Sequence, residues 1–396
     1  MNIFSTCALE DKFQRVTRKN TVGSTNVLTI SAQHGLINQF EYYNNQYASE
    51  NTSGYTLLHK GDFAYNKSYS EGYPFGATKK LERYESGIVS PLYICFAAKA
   101  GVCDDFYSYY FESEPFYREI YKIAQEGARN HGLLNVPAED FFQIKIADPP
   151  LAEQKRIAEI LGCCDRVIAL KKELIAEKKK QKKALMQKLL NPDSGFRLPG
   201  FTGEWRRCLI SEICTIESGG TPATSNEKYW GGDIFWCTPS DISNSGKYIT
   251  FTPQTISQEG IKNSSAALLP VGSIIMCSRA SIGPRCITKV PMTTNQGFKN
   301  FICSNLLYNE FWYYFIDTIL EDLYKMASGN TFKEISKSSI ETYHVVIPAS
   351  YKEQQAIADI LSAADKEIVL LEQELEQQQQ KKKTLMQLLL TGIVRA

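Results

Sequence analysis

The chain has 396 residues, a formal net charge of +1 and an ordinary share of apolar side chains. That length leaves room for two or three domains, each with its own core, and near-neutral charge argues against gripping nucleic acid by bulk electrostatics alone. No apolar run reaches membrane-span length. The start Met1-Asn2-Ile3-Phe4-Ser5-Thr6 lacks a basic n-region and an apolar h-region, and the 11 cysteines form no CxxC pair, so a cytoplasmic protein with buried, reduced thiols and no zinc is expected.

In chain order, the first globular stretch (1–148) opens with Leu9-Glu10-Asp11. Gly61-Asp62-Phe63-Ala64 follows as a turn leading into an apolar strand. An aromatic-rich helical segment from Phe106 to Ile123 ends in the polar turn Gly127-Ala128-Arg129-Asn130, and a strand near Phe142–Ile146 closes the stretch. The segment 149–195 is a long helix and a linker. Pro149-Pro150 precedes the helix, apolar residues then recur at spacings of three and four from Leu151 to Leu190, and Asn191-Pro192 stops it. About 40 helical residues span about 60 Å. The linker Asn191 to Gly203 is rich in turn residues and should be exposed.

The second globular stretch (196–347) repeats the punctuation: Leu209-Ile210-Ser211, Gly272-Ser273-Ile274-Ile275, a helical segment from Phe311 to Met326, the turn Ser328-Gly329-Asn330-Thr331, and a strand near Tyr343–Ile347. A second long helix fills 348–396. Its sequence repeats the first at a distance of two hundred residues. Glu153-Gln154 returns as Glu353-Gln354, Ile157-Ala158 as Ile357-Ala358, Asp165 as Asp365, and Leu185-Met186-Gln187 as Leu385-Met386-Gln387. A period that long marks a whole domain plus a helix as the repeating unit.

Both helices carry coiled-coil seam periodicity. The seam positions are Ile157, Leu161, Ile168, Leu185 and Leu189 in the first, and Ile357, Leu361, Ile368, Leu385 and Leu389 in the second. Each seam turns polar midway, at Lys178 and Lys182 or at Gln378 and Lys382, which suits a short intramolecular pair better than a long homodimer. The run Lys178 to Lys183 reads as a solvated helix surface.

These residues resemble the specificity subunit of type I restriction-modification systems. The repeated helix, with Glu-Gln near its start and Lys-Lys-x-Leu-Met-Gln-x-Leu-Leu at its end, is similar to that family's conserved regions. The tail Leu389-Leu390-Thr391-Gly392-Ile393-Val394-Arg395 is similar to its usual ending. Gly219-Gly220-Thr221-Pro222, Tyr229-Trp230-Gly231-Gly232-Asp233-Ile234 and Trp236-Cys237-Thr238-Pro239-Ser240-Asp241 resemble the opening of one type of target-recognition domain. Gly61 to Ser68 and Gly127 to Leu133 resemble another type. The first unit departs from the pattern, because it begins at Met1 with no counterpart of Gly203-Glu204-Trp205.

The resemblance implies an α+β chain: two mixed α/β target-recognition domains separated by two long helices packed as an antiparallel coiled coil, a pseudo-two-fold internal repeat. It implies a non-catalytic reader of double-stranded DNA, each domain taking one half of a bipartite, asymmetric site. It further implies docking of two adenine-methyltransferase subunits and of motor-nuclease restriction subunits, with S-adenosylmethionine, ATP and Mg in those partners and no cofactor or metal here. Arg or Lys suits guanine and Asn or Gln suits adenine. The candidate base-reading residues are therefore Asn66, Lys67, Arg129, Asn130 and His131 in the first domain, and Ser278, Arg279, Asn295, Gln296, Asn330 and Lys333 in the second. For each, a loop-capping or phosphate-positioning role is the alternative. The aromatic clusters Tyr107–Phe111 and Phe311–Phe315 read as domain core rather than base-stacking platforms.

Enzyme chemistry has little footing. Asp148-Pro149-Pro150-Leu151 has leucine where an adenine methyltransferase needs an aromatic residue, and reads as the start of a helix. There is no GxxxxGK[ST] loop, and the four histidines lack nucleophile partners. Gly219-Gly220 and Gly231-Gly232 read as turns rather than a dinucleotide site. The alternatives are a coiled-coil interaction scaffold indifferent to DNA, and a methyltransferase with fused recognition domains.

Overall fold

The computed structural model describes residues 4–31, 34–43, 51–68, 73, 75–126, 134–329 and 333–396. It divides into two compact units, residues 1–172 with 373–396, and residues 173–372. The long helices Leu151–Leu189 and Tyr351–Leu390 therefore each contribute one half to each unit.

Within the first unit the central sheet is antiparallel. Its strands, in spatial order, are Phe13–Arg15, Ile94–Ala98, Phe63–Asn66 and Ala77–Lys80. The second unit has the same order with Cys214–Ser218, Phe298–Cys303, Ile274–Cys277 and Arg285–Thr288, and adds Tyr248–Ile249 at the edge. Register makes the equivalence residue by residue. Phe13 faces Ala98 and Phe63 faces Phe96 in one, while Cys214 faces Cys303 and Ile274 faces Phe301 in the other. The inner positions are filled by different chemistry. In the first unit Phe13, Phe63 and Phe96 interlock with ring centroids 5.3–5.7 Å apart, whereas the second core uses Cys214, Ile274 and Phe301. Such swaps are tolerated when total volume and patterning are kept.

A short strand pair closes each unit beside the long helices: Thr6–Ala8 with Lys145–Ala147, and Trp205–Leu209 with His344–Pro348. The following one-turn helices, Leu9–Lys12 and Ile210–Ile213, start alike. Asp11 accepts the Ala8 N–H at 2.8 Å and Glu212 accepts the Leu209 N–H at 2.9 Å, which satisfies a donor the helix leaves open. Leu9 thus corresponds to Ile210, one residue away from the alignment expected at a spacing of two hundred. Gly61 and Gly272 are equivalent as expected. Both adopt positive φ (92° and 87°) and donate their N–H across the turn, to Leu81 and Thr288.

The aromatic segment of the first unit is two helices, Asp104–Tyr110 and Glu114–Ile123, not one. Pro115, without an N–H, can sit only in the first turn of a helix, and the Ser113 hydroxyl caps the preceding turn on the Tyr110 carbonyl (2.6 Å). The counterpart Asn309–Met326 has no proline and runs unbroken. Tyr107, Tyr110, Phe111, Phe311, Trp312 and Phe315 are buried, as core residues should be. Phe142 lies in the last turn of the helix Ala138–Gln143, so the strand expected near it begins only at Lys145.

The helix pairs are antiparallel within each unit. In the first, Asp165 meets Lys382 and Lys171 meets Glu374; in the second, Lys178 meets Glu367 and Lys182 meets Asp365. The seam residues Ile157, Leu161, Leu389 and, partly buried, Leu385 join the first domain core. Ile357, Leu361, Leu189 and, partly buried, Leu185 join the second. The polar middle of the seam is not merely solvated, as expected for Lys178 to Lys183: Lys178, Lys179 and Lys182 all pair with acids of the opposite helix, at 2.6, 2.7 and 2.5 Å. All 11 cysteines are unpaired and, contrary to the expectation of buried thiols, Cys163 is exposed. Among the described residues no helix is long and apolar enough to cross a membrane.

Candidate nucleic-acid interface

In the second unit four loops converge at one end of the central sheet. The strand Ile274–Cys277 runs into Ser278, whose N–H donates to Gly297 O (2.8 Å) and whose carbonyl accepts from Ile335 N (3.0 Å). Ala280 N donates to Lys333 O (3.0 Å), and Gly220 N to Thr294 O (2.9 Å). Gly219 sits where a Cβ would fall 1.8 Å from the Asn295 carbonyl, so close backbone approach rather than a turn requires glycine there. The Trp236 indole N–H donates to Gly220 O at 2.9 Å and ties the Gly219-Gly220 and Trp236-Cys237 motifs together.

Five of the expected second-domain residues are gathered by these loops, in different roles. Ser278 is buried, and its hydroxyl is spent on Gly297 O (3.1 Å), so it belongs to the framework rather than to a base-reading surface. Asn295 caps its own loop by accepting from Gly297 N at 2.9 Å. Gln296 is exposed and bonded to the Thr221 hydroxyl. Arg279 is exposed and bridges to Glu334, its Nε 3.9 Å from Oε2. Lys333 is exposed, its Nζ 4.2 Å from the Tyr324 ring centroid. Beneath them lies a cation absent from the sequence reading: Lys299 is buried, with Glu334 3.3 Å from its ammonium. Asn330 lies outside the described residues.

The first unit builds the same junction. Leu134 N donates to the Lys67 carbonyl (3.0 Å), as Ile335 N does to Ser278 O. Gln125–Glu126 pairs with Leu134–Asn135, as Ser328 bridges Glu334. Asn66 and Lys67 are half-buried at the end of the strand Phe63–Asn66, with the Asn66 side chain accepting from Ser68 N (3.1 Å). Arg129, Asn130 and His131 fall in 127–133, outside the described residues.

Each domain is fastened to its helix pair by three polar contacts that recur. Buried Gln154 donates to Pro149 O (2.8 Å) and accepts from Cys103 N (3.2 Å), while Gln354 donates to Pro348 O (2.9 Å) and accepts from Tyr308 N (2.7 Å). Glu353 takes a two-pronged bond from Arg197 (2.8 and 2.8 Å), and Glu153 takes one from Arg395 (2.6 and 2.5 Å). The linker is exposed over most of its length, as expected, and is tied down at Arg197.

The third contact joins three elements. Asp165 accepts the Tyr109 hydroxyl on Oδ2 (2.8 Å) and the Lys382 ammonium on Oδ1 (2.6 Å). Asp365 accepts Tyr314 on Oδ2 (2.6 Å) and Lys182 on Oδ1 (2.5 Å). Burial, reinforced by the aspartate, pushes both tyrosine hydroxyls up, so they remain proton donors. Glu-Gln and the aspartates were visible as repeated letters. Tyr109 and Tyr314 were not, because loop insertions place them 205 residues apart, off the two-hundred period.

Such a chain, two copies of one strand layer with unlike loops, each bolted to an antiparallel helix pair by the same side chains, is a tandem-repeat protein of two mixed α/β domains. It belongs to the family described as Type I restriction modification DNA specificity domain, which matches residues 12–179 and 203–380. It is 38% identical over 165 residues to the MjaIX specificity subunit of Methanocaldococcus jannaschii, covering 41% of this chain and 38% of that one. It is 30% identical over 240 residues to the EcoR124I/EcoR124II specificity subunit of Escherichia coli, covering 57% of each. These matches span less than two thirds of either relative. The fold is shared with the HsdS subunit from Thermoanaerobacter tengcongensis at a TM-score of 0.54 and 19% identity, over 98% of this chain and 95% of that one.

Proposed function

We propose that this chain is the DNA-reading specificity subunit of a type I restriction-modification complex, working in the cytoplasm as a recognition component rather than a catalyst. The observation that carries this reading is the contrast between the halves. Strand order, anchoring glutamines, Arg–Glu clasps and Tyr–Asp–Lys junctions repeat, while the loops at the sheet ends differ in sequence. A duplicated frame with unlike reading loops suits two unlike half-sites. Two-fold readers contact half-sites about one turn apart, roughly 34–36 Å. Exposed Gln296, Arg279 and Lys333 in the second domain, and Asn66 and Lys67 in the first, are the described residues proposed to face the duplex. Phosphate contacts account for about half to two-thirds of hydrogen bonds in such interfaces, so cations among these residues position as well as read. The helix pairs are proposed to dock two adenine-methyltransferase subunits, with motor-nuclease subunits joining them. S-adenosylmethionine, ATP and Mg are assigned to those partners. Adenines flipped for methylation would enter the methyltransferase, not this chain.

Genome-wide mapping of methylated adenines, with and without this gene, tests the reading. Deletion should abolish methylation at one bipartite motif, and exchanging residues 196–347 for another recognition domain should change one half of it. Loss of both halves on exchange would refute independent readers. Methylation unchanged by deletion would favour a scaffold indifferent to DNA.

A further inference from the structure

We propose that Tyr109 and Tyr314 are positioning residues that set which spacer between half-sites is accepted, without contributing to the sequence of either half. This rests on the DNA-reading function proposed above.

Each domain is held to its helices by apolar packing, around Ile157 and Leu161 in one unit and Ile357 and Leu361 in the other, and by the glutamine and Arg–Glu contacts at the helix starts. Such packing is strong but non-directional. It fixes that the domain is attached better than it fixes the angle. A hydrogen bond from a hydroxyl to a carboxylate is short and directional, and here it is made at the apolar anchor, by Tyr314 within the second core and Tyr109 packed against the first. Asp165 and Asp365 lie four residues beyond Leu161 and Leu361, about 6 Å along the helix axis. The bond opposes a small rotation of the domain about that anchor, and one base pair corresponds to only about 3.4 Å along a duplex.

Two further features single out this contact. First, each aspartate divides its oxygens, one for the tyrosine of the domain and one for the lysine of the opposite helix, so domain and both helices meet at one carboxylate. The lysine lies over the same tyrosine's ring, 5.1 Å from the centroid for Lys382 on Tyr109 and 5.4 Å for Lys182 on Tyr314. Second, the junction is rebuilt in both units although their strand cores and loops have diverged. The two halves act as independent copies, and both keep the arrangement. Each junction borders an open pocket lined in part by charged side chains, about 400 Å3 in the first unit and about 580 Å3 in the second, so removing the hydroxyl leaves no dry void and the fold should survive.

The test uses the full-length chain expressed from its own locus as Tyr109→Phe, Tyr314→Phe or the double variant, with methylated adenines mapped across the genome. Asp365→Asn serves as the conservative control, since an amide oxygen can still accept the tyrosine proton. The expected result is unchanged half-site sequences with methylation spreading to spacers one base pair shorter or longer. The methylated fraction at those sites should rise on the order of tenfold in each single variant, the equivalent of about 1.4 kcal/mol and the size of one net hydrogen bond, and further in the double variant. Asp365→Asn should keep the wild-type spacer. A single wild-type spacer in the double variant overturns the proposal. So does an even loss of methylation at all sites accompanied by a lowered melting temperature, which would make the tyrosines merely structural. If the unmodified strain shows no bipartite motif dependent on this gene, the DNA-reading function itself falls, an outcome distinct from either.

Discussion

Replacing Arg197 by alanine should destabilise the second unit by about 2–3 kcal/mol. Glu353 is 2% exposed and receives both of its strong bonds from Arg197, whose own side chain is 31% exposed. Removing one partner of a buried pair typically costs about 3–5 kcal/mol, because the remaining charge is left desolvated. Two features reduce that here: the arginine already sees water, and Glu353 sits in the first turn of its helix, where the macrodipole favours an anion by about 0.3–1 kcal/mol. The readout is built in, since all four tryptophans, Trp205, Trp230, Trp236 and Trp312, lie in this unit. With a urea slope of about 3 kcal/mol per molar, the fluorescence midpoint should fall by roughly 0.7–1 M. Replacing Glu353 as well, by leucine, should recover most of the loss. The equivalent Arg395→Ala acts on the other unit, where the clasp is more open (Arg395 57% and Glu153 9% exposed), and should move the tryptophan midpoint far less. A midpoint for Arg197→Ala equal to that of the unaltered protein would refute the reasoning.

Leu161→Asp or Leu361→Asp should cost about 4 kcal/mol or more by forcing a carboxylate into a fully buried seam position, and should reduce co-purification with the methyltransferase proposed to dock on the helices. Undiminished co-purification would contradict docking on an intact helix pair. A further expectation concerns acid. Burial pushes Glu310 up, but hydrogen bonds from Tyr248 and Lys247 outweigh it and hold the carboxyl below its ordinary value. Burial dominates at Lys247, held below its own ordinary value despite the same ion pair, so the pair offsets only part of that lysine's desolvation. Between about pH 5 and pH 3 the lysine is charged whether the chain is folded or not, so only the glutamate is relevant. Its stabilisation is complete above its unfolded value and is lost as pH falls through the lower folded value. Glu310→Gln should therefore flatten the acid limb of stability against pH followed by tryptophan fluorescence, and an unchanged limb would show that the pair adds nothing.

The repeat, the helix boundaries and the seam followed from sequence alone, because helical period and proline or glycine stops are local properties. Ile157 and Leu161 could be placed on one face of the first helix, and Leu385 and Leu389 on one face of the second, without knowing what they touch. The duplication of whole domains was equally legible, down to the equivalence of Gly61 and Gly272 at a turn that demands positive φ. Tertiary structure alone decided which polar residues are spent inside the frame. Ser278 looked like a reader and is a buried hydrogen-bond donor, since its exposure depends on three loops brought over it from distant parts of the chain. Lys178, Lys179 and Lys182 looked solvated, and their acidic partners lie almost two hundred residues away. Tyr109 and Tyr314 carried no shared spacing, because insertions shift the register between strand, helix and tyrosine. Only folding returns them to the same aspartate. Local pattern fixes elements, whereas ion pairs and directional hydrogen bonds depend on through-space distances that sequence separation does not encode.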